Sequence, residues 1–265
     1  MGYDIQTYYH DKMENQKTVR FDSNEFSFTL SYEHNGDIVS INHGSRKNIL
    51  DGIYGFGFCS KCGEWIGLND DDSAMDKLLE EHYGTHQSRG KCTRRGNQTD
   101  FKQVFLYSDA KHDVLKIEYE LTEKIKDTEK FSWTLLYAFS KAIQITYDLE
   151  ENEISCFVRK GKDGSSSELI LYETVPGGAG VLEQFTENQT ALINIVQSAY
   201  ELLHGYESDG CEIACYDCLL SYYNQFNHGK LDRHIILPFL KSVIERRVQI
   251  QMHIDKVEDQ TMLFQ

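Results

Sequence analysis

From Phe26 the chain alternates apolar and polar positions, with Phe26, Phe28, Leu30 and Tyr32 on one side, pauses at His34-Asn35-Gly36, and resumes through Ile38-Val39-Ser40-Ile41. A period of two broken by an Asn-Gly step predicts a β-hairpin. Residues 48–58, glycine-spaced and aromatic, read as a strand leading into a cysteine pair. Asp72 or Ser73 can cap a short helix running through Met75, Leu78 and Leu79 to Gly84. Two more strands are predicted over 101–108 and 113–122. Residues 129–147 carry Trp133, Leu136, Tyr137, Ser140, Ile143 and Tyr147 at helical spacing, which predicts a long, mostly buried helix. Strands over 153–159 and 168–175 flank a Gly-Lys-Asp-Gly-Ser-Ser-Ser turn and form a second hairpin. The run Pro176-Gly177-Gly178-Ala179-Gly180 then opens a helical stretch over 180–204, and a last helix is predicted over roughly 231–248. The pattern predicts an α+β fold, antiparallel strands and hairpins packed with several helices. Its expected organisation is an irregular arm over 1–24, a β-rich part over 25–125 and an α+β part over 126–265, the last two able to form one compact unit.

Composition narrows the class. Of 265 residues 40% are hydrophobic and 12% aromatic, with only 2 Pro, which is the make-up of a packed globular chain rather than a disordered one. No apolar run reaches the length of a membrane span, and the first residues show no basic segment followed by an apolar one, so neither a membrane anchor nor a signal peptide is expected. With 27 Lys and Arg against 42 Asp and Glu, the net charge is −15. Such a chain is repelled by bare phosphate unless its cations cluster, which disfavours a general nucleic-acid binder. The 7 cysteines are odd in number, and five of them sit in tight spacings. Without an export signal that spacing points to a reducing, cytoplasmic setting and to metal rather than disulfides.

Two cysteine clusters carry the candidate chemistry. Cys59-Ser60-Lys61-Cys62-Gly63 puts two sulfurs on one side of a tight turn, as a zinc knuckle does. Cys92 and either His82 or His86 complete a tetrahedral site; His86 is favoured because it shares a short loop with Cys92, whereas His82 ends the predicted helix. The second cluster is Cys211, Cys215 and Cys218, too crowded to pair as disulfides and one ligand short of four. Asp209 is one candidate for that ligand, His204 and His228 are others, and water is a further possibility. Two Zn²⁺ sites are therefore expected. The glycine loop at 175–180 lacks the Lys-Ser/Thr of a phosphate-binding loop and reads as a tight turn. Arg89, Lys91, Arg94 and Arg95 form the one basic cluster, a candidate contact for nucleic acid or an ordinary solvated loop. Cys156 sits in an alternating strand as a small apolar residue. No nucleophile–base pair stands out, so neither an enzymatic role nor a small-molecule substrate is expected.

The C-terminal motifs resemble a known family. Tyr-Glu-Thr-Val-Pro-Gly-Gly-Ala-Gly, followed after a helix by the Cys211–Cys218 cluster, Leu219, Tyr222, Asn224, Gln225 and then Leu231-Asp232-Arg233, is similar to the zinc-binding domain at the C-terminus of MrfA-type superfamily-2 helicases. The version in helicase-associated subunits of the DrmB kind, from DISARM phage-defence systems, is the nearest. In the family pattern an Asp stands at Glu173 and a fourth cysteine at Asp209. Upstream, Ser40–Gly44 and Phe58–Gly63 also resemble that region, so the likeness runs from about residue 37 to 240. The resemblance implies a zinc-binding accessory subunit that docks on a separate superfamily-2 helicase, with DNA contacted mainly through that partner. A zinc-dependent nuclease using the second cluster, and a stand-alone DNA-repair binding module, are the competing readings.

Overall fold

The computed structural model describes residues 2–12, 17–22, 26–121, 127–160, 167–175, 178–206, 210–245 and 249–254. In chain order these form strands β1 (Tyr3–His10), β2 (Lys17–Asp22) and β3 (Phe26–Ser45), helix α1 (Arg46–Leu50), strands β4 (Phe56–Cys59) and β5 (Trp65–Ile66), and helix α2 (Asp72–Tyr83). Strands β6 (Phe101–Val104) and β7 (Leu106–Leu121), helix α3 (Thr128–Thr146) and strands β8 (Ile154–Lys160) and β9 (Ser167–Glu173) follow. Helices α4 (Gln184–Glu187), α5 (Gln189–Leu202) and α6 (Arg233–Ile244) and strand β10 (Gln249–Ile254) complete the order. The class is α+β with antiparallel pairing, and no described helix is long and apolar enough to cross a membrane.

The chain divides into two compact units, Met1–Tyr8 with Ile38–Ala110, and Tyr9–Asp37 with Lys111–Gln265. Both are discontinuous because β1, β3 and β7 each run from one unit into the other. A boundary drawn along the sequence near 125 therefore has no counterpart in this division. Residues 1–24, expected to be irregular, hold β1 and β2. Their pattern is blurred because each strand buries few side chains; only Tyr9 of β1 is buried, and of β2 only Val19 and Phe21. The expected hairpin at Asn35-Gly36 is instead one continuous strand of 20 residues. The type I′ reversal that Asn-Gly favours needs positive φ at both central positions; here Asn35 has φ 58 and Gly36 does not share it. The helical stretch expected over 180–204 is interrupted at Asn188, whose side chain caps α5 through the Thr190 amide at 2.9 Å.

In the larger unit the strand order is β10-β2-β3-β7-β9-β8. The ladders β10–β2, β2–β3, β7–β9 and β8–β9 are antiparallel. Phe26, Phe28, Leu30 and Tyr32 are buried as their alternation predicts, with Leu115, Ile117, Leu169 and Leu171 from the neighbouring strands. Helix α3 packs on β8 and β9 and also on α5 and α6, so it is buried on several sides through Phe131, Leu135, Leu136, Ala138, Phe139 and Ile143. Trp133 and Tyr137, expected in its buried stripe, are only partly covered and stack on each other at 5.7 Å. The turn expected over 161–166, Pro176 and Gly177 lie outside the described residues.

The end of β9 explains the glycine loop. Glu173 is buried and accepts from the Ala179 amide, from the Gly180 amide at 3.1 Å and from the Leu182 amide at 2.8 Å. A β-carbon on Gly178, which has φ 66, would lie 2.4 Å from Asp113 Oδ2. The loop amides thus serve an internal carboxylate, and the tight turn is their use. Replacing Glu173 by Ala leaves three amide donors without this acceptor, that of Leu182 buried and those of Ala179 and Gly180 part-buried. Each hydrogen bond to a charged group is worth about 1.5–3 kcal/mol, and water can re-satisfy the two part-buried amides, so Glu173→Ala is expected to cost about 3–5 kcal/mol. Urea midpoints test this, and an unchanged midpoint would refute it.

Candidate metal centres

The first centre lies in the smaller unit. Strand β4 ends at Cys59, whose amide donates to the Glu64 carbonyl at 2.9 Å and whose carbonyl accepts from the Gly63 amide at 2.9 Å. Gly63 takes φ 85, and the resulting turn brings Cys62 back beside Cys59. Asp71 caps α2 through the Ala74 amide at 2.7 Å, one position ahead of the expected cap. The only buried residue of that helix is His82, in its last turn. Gly84 (φ 88) ends α2, the Thr85–Ser88 turn reverses the chain, and the Lys91 and Cys92 amides donate to the Glu81 and His82 carbonyls at 3.1 and 2.7 Å. This return locks Cys92 against the end of α2.

The structure thereby brings together Cys59, Cys62, His82 and Cys92, with their ligand atoms all within 4.8 Å of one another. His86, favoured on loop proximity, sits exposed within the turn and outside the group. The correction has a simple cause. The returning chain pairs with the helix end, so Cys92 lies nearest His82 in space although His86 is nearer in sequence. His82→Ala is expected to lower the metal content from two ions per chain to one, and His86→Ala to leave it at two, measured by elemental analysis.

The second centre lies in the larger unit and is built similarly. Helix α5 gives way at Leu203 to His204, held in the left-handed region at φ 55. Gly205 follows with its amide on the Tyr200 carbonyl at 2.9 Å, where a β-carbon would strike the Tyr200 ring at 2.4 Å. His204, Cys211, Cys215 and Cys218 bring their ligand atoms within 4.8 Å of one another. His204 Nε2 is 3.4 Å from Cys215 Sγ, which is 3.4 Å from Cys218 Sγ, and Cys211 and Cys218 are 3.9 Å apart. Asp209 lies outside the described residues. His228 is engaged elsewhere, its Nε2 within 2.9 Å of Asn224 Oδ1 and 3.0 Å of the Ser221 carbonyl.

Sequence reasoning assigned Arg233 only a place in a motif, yet it ties this centre together. Asp232 caps α6, and Arg233, with 6% of its surface exposed, donates from Nη1 to the Leu203 carbonyl at 2.8 Å and from Nη2 to the Cys211 carbonyl at 2.7 Å. Its backbone amide donates to the Ile213 carbonyl at 3.1 Å. One side chain therefore joins the segment that delivers the histidine to the one that delivers the cysteines.

Both donor sets fit zinc. Tetrahedral Zn–S bonds of about 2.3 Å imply S···S edges near 3.8 Å, and with Zn–N of about 2.0–2.1 Å the S···N edges come near 3.6 Å. The sulfur separations of 3.4 and 3.9 Å and the two Cys–His separations of 3.4 Å bracket or approach those edges. Burial pushes the Cys59 thiol up, but the adjacent Tyr83 hydroxyl, the Cys62 and Lys61 amides and His82 outweigh it and hold it at about 6. Burial likewise acts on Cys215, which His204 and Cys218 bring down to about 7. Burial and the neighbouring Cys215 and Cys218 push Cys211 up to about 12. A divalent cation resolves such a set by stabilising every sulfur as thiolate. Cys156 belongs to neither centre, and burial pushes its thiol up to about 12. Arg89, Lys91, Arg94 and Arg95 are exposed, with Lys91 paired to Glu81.

Residues 135–219 match the family model of MZB, the MrfA Zn-binding domain. That segment contains the second centre and not the first. The chain is 27% identical over 220 residues to Druantia protein DruE of Escherichia coli (strain UMEA 4076-1), covering 77% of this chain and 11% of that protein. Among solved structures it is similar to the DUF1998 helicase MrfA bound to DNA, at 12% identity and a TM-score of 0.45 over 92% of this chain and 26% of the helicase. The same helicase bound to DNA and AMPPNP gives 11% identity and a TM-score of 0.38, over 91% of this chain and 23% of that one. The chain thus spans about a tenth of its curated relative and about a quarter of the helicase.

Proposed function

We propose that this protein is a non-enzymatic, two-zinc accessory subunit that works beside a superfamily-2 DNA helicase in a DISARM-like or Druantia-like bacterial defence complex. One ion is held by Cys59, Cys62, His82 and Cys92, the other by His204, Cys211, Cys215 and Cys218. The observation that carries the reading is the closed donor set. Four protein ligands at each centre fill a tetrahedral shell, which is the arrangement of a structural zinc, whereas a catalytic zinc keeps a position for water. The ions supply cross-links that fix chain segments.

Docking on a partner is supported by the segment that carries the second centre. Tyr206, Ile213, Tyr216, Tyr222, Tyr223 and Phe226 are all exposed there, and large exposed apolar side chains gathered in one segment mark interaction surfaces. DNA contact in this reading runs mainly through the helicase, in keeping with the charge of −15.

Isolation of the tagged, zinc-loaded chain from its native host is the test. A superfamily-2 helicase in stoichiometric amount is the expected result. A lone monodisperse monomer, under conditions that keep both metals, would overturn it. The nuclease alternative requires metal-dependent DNA cleavage that disappears in Cys215→Ser while the fold persists.

A further inference from the structure

We propose that the three-stranded sheet of the smaller unit is a stacking platform for single-stranded nucleic acid. This goes beyond the accessory reading because it requires no partner. The sheet has the order β5-β4-β6 and two unlike faces. Residues opposite one another across a ladder point to the same side, and successive residues alternate. Cys59 stands opposite Phe101 and Gly57 opposite Ile66, so Cys59, Phe101 and Ile66 share the face that packs around the first metal centre. Phe58 stands opposite both Trp65 and Lys102, and Phe56 opposite Val104. The other face therefore presents a row Lys102–Phe58–Trp65 with Phe56 beside it.

That row is a continuous aromatic surface. The Trp65 ring lies 5.2 Å from Phe58 and 6.0 Å from Phe56, and Tyr3 lies 6.0 Å from Phe56. Trp65 and Tyr3 each keep 56% of their surface exposed. A cleft of about 440 Å³ opens beside them, lined among others by Tyr3, Phe56, Trp65, Leu68 and Leu106. Metal ligation holds the inner face, which leaves the outer aromatics free for a ligand with a flat face of its own.

The charge around the sheet selects that ligand. The smaller unit holds 9 Lys and Arg against 11 Asp and Glu, so most of the excess acid lies in the other unit. Lys61 sits within the knuckle, and a β-carbon on Gly96 would lie 3.1 Å from Lys61 Cβ and 3.2 Å from Cys92 Sγ, so Arg94 and Arg95 flank the metal side of the sheet. Among the described residues Lys61, Arg89, Arg94, Arg95 and Lys102 form no ion pair. The nearby acid Asp100 is engaged within its own turn, accepting from the Asn97 amide at 2.9 Å. On the aromatic face itself the cation is Lys102, in register with Phe58, and a cation beside exposed aromatics is how proteins hold an unpaired strand, with bases on the rings and phosphate on the cation. A duplex keeps its base faces internal and cannot use such a platform.

The test uses the zinc-loaded full chain with Trp133→Phe, which leaves Trp65 as the sole indole. Titration with oligo(dT) or oligo(U) at about 50 mM salt is expected to quench Trp65, and affinity is expected to fall as salt rises. The two oligomers show whether DNA or RNA is preferred. Phe58→Ala and Trp65→Ala, the latter followed by anisotropy of a labelled oligomer, are each expected to weaken binding about 5- to 100-fold. Each variant must retain two metals per chain. Absence of binding to either oligomer overturns the proposal. Equal affinity for duplex and single strand, with Phe58→Ala and Trp65→Ala unchanged, also overturns it and assigns binding to the basic loop alone. Loss of helicase association in Trp65→Ala without any oligomer binding would make this face a protein contact instead.

Discussion

Chelation of the intact protein is expected to unfold the smaller unit while the core of the larger one stays assembled. The apolar cluster around the first centre consists of Cys59, Ile66 and Cys92, with Cys62, Leu78, Tyr83 and Phe101 packed against it. Three of those seven residues are candidate metal donors, so without the ion the inner face loses much of what orders β4, β5, β6 and α2. Structural zinc supplies about 10–16 kcal/mol of folding free energy in small domains, comparable to the whole stability of an ordinary domain at about 5–15 kcal/mol. The larger unit is different. Phe28, Phe131 and Phe239 meet in one aromatic cluster there, with the Phe28 and Phe239 rings 4.3 Å apart, and a broad apolar core surrounds them. Hydrogen exchange after chelation should show lost protection over 56–66, 72–83 and 92–104 and retained protection in α3. Undiminished protection in the first three segments would show that the cysteines there are not structural ligands.

Arg233→Met should be the most damaging single substitution in the larger unit outside the ligands themselves. The guanidinium is buried and bonded to the carbonyls of Leu203 and Cys211, while its Nε has no hydrogen-bond partner. No carboxylate among the described residues forms an ion pair with it. With Zn²⁺ bound, three thiolates and a neutral imidazole would leave a net charge of −1, which the arginine beside them would offset. Methionine keeps the bulk but removes the donors and leaves that charge unbalanced. Uncoupling a buried charge pair costs about 3–5 kcal/mol, and loss of a residue that orients ligands weakens metal binding about 10- to 100-fold. Competition with a zinc chelator should show one of the two sites weakened by that factor. Arg233→Lys should fail to restore it, because an ammonium cannot span two carbonyls as the planar fork does. Wild-type affinity at both sites in Arg233→Met would remove the arginine from the centre.

The pattern of the chain determined much of this. Alternation in Phe26–Tyr32 located the buried face of β3, and helical spacing bounded α3 to within a residue at each end. The pairs Cys59–Cys62 and Cys215–Cys218 marked both centres, because a turn that apposes two sulfurs is a local property. Those features depend on neighbours a few residues apart, and there the sequence speaks directly.

Tertiary structure decided the rest, for a reason common to the failures. Each centre takes its histidine from the end of a helix, His82 in the last turn of α2 and His204 just beyond α5, with a glycine one or two residues later. That recurring His-then-Gly ending was visible in the sequence, but what selects it is the chain's return, through Cys92 onto the His82 carbonyl and through Arg233 onto Leu203 and Cys211. The straight passage of β3 through Asn35 likewise follows from pairing with strands distant in sequence. Composition and spacing determined that the protein holds clustered thiols in an α+β fold. Which imidazole joins them was settled by the folded chain, because coordination acts over a few ångströms of space and takes no account of distance along the sequence.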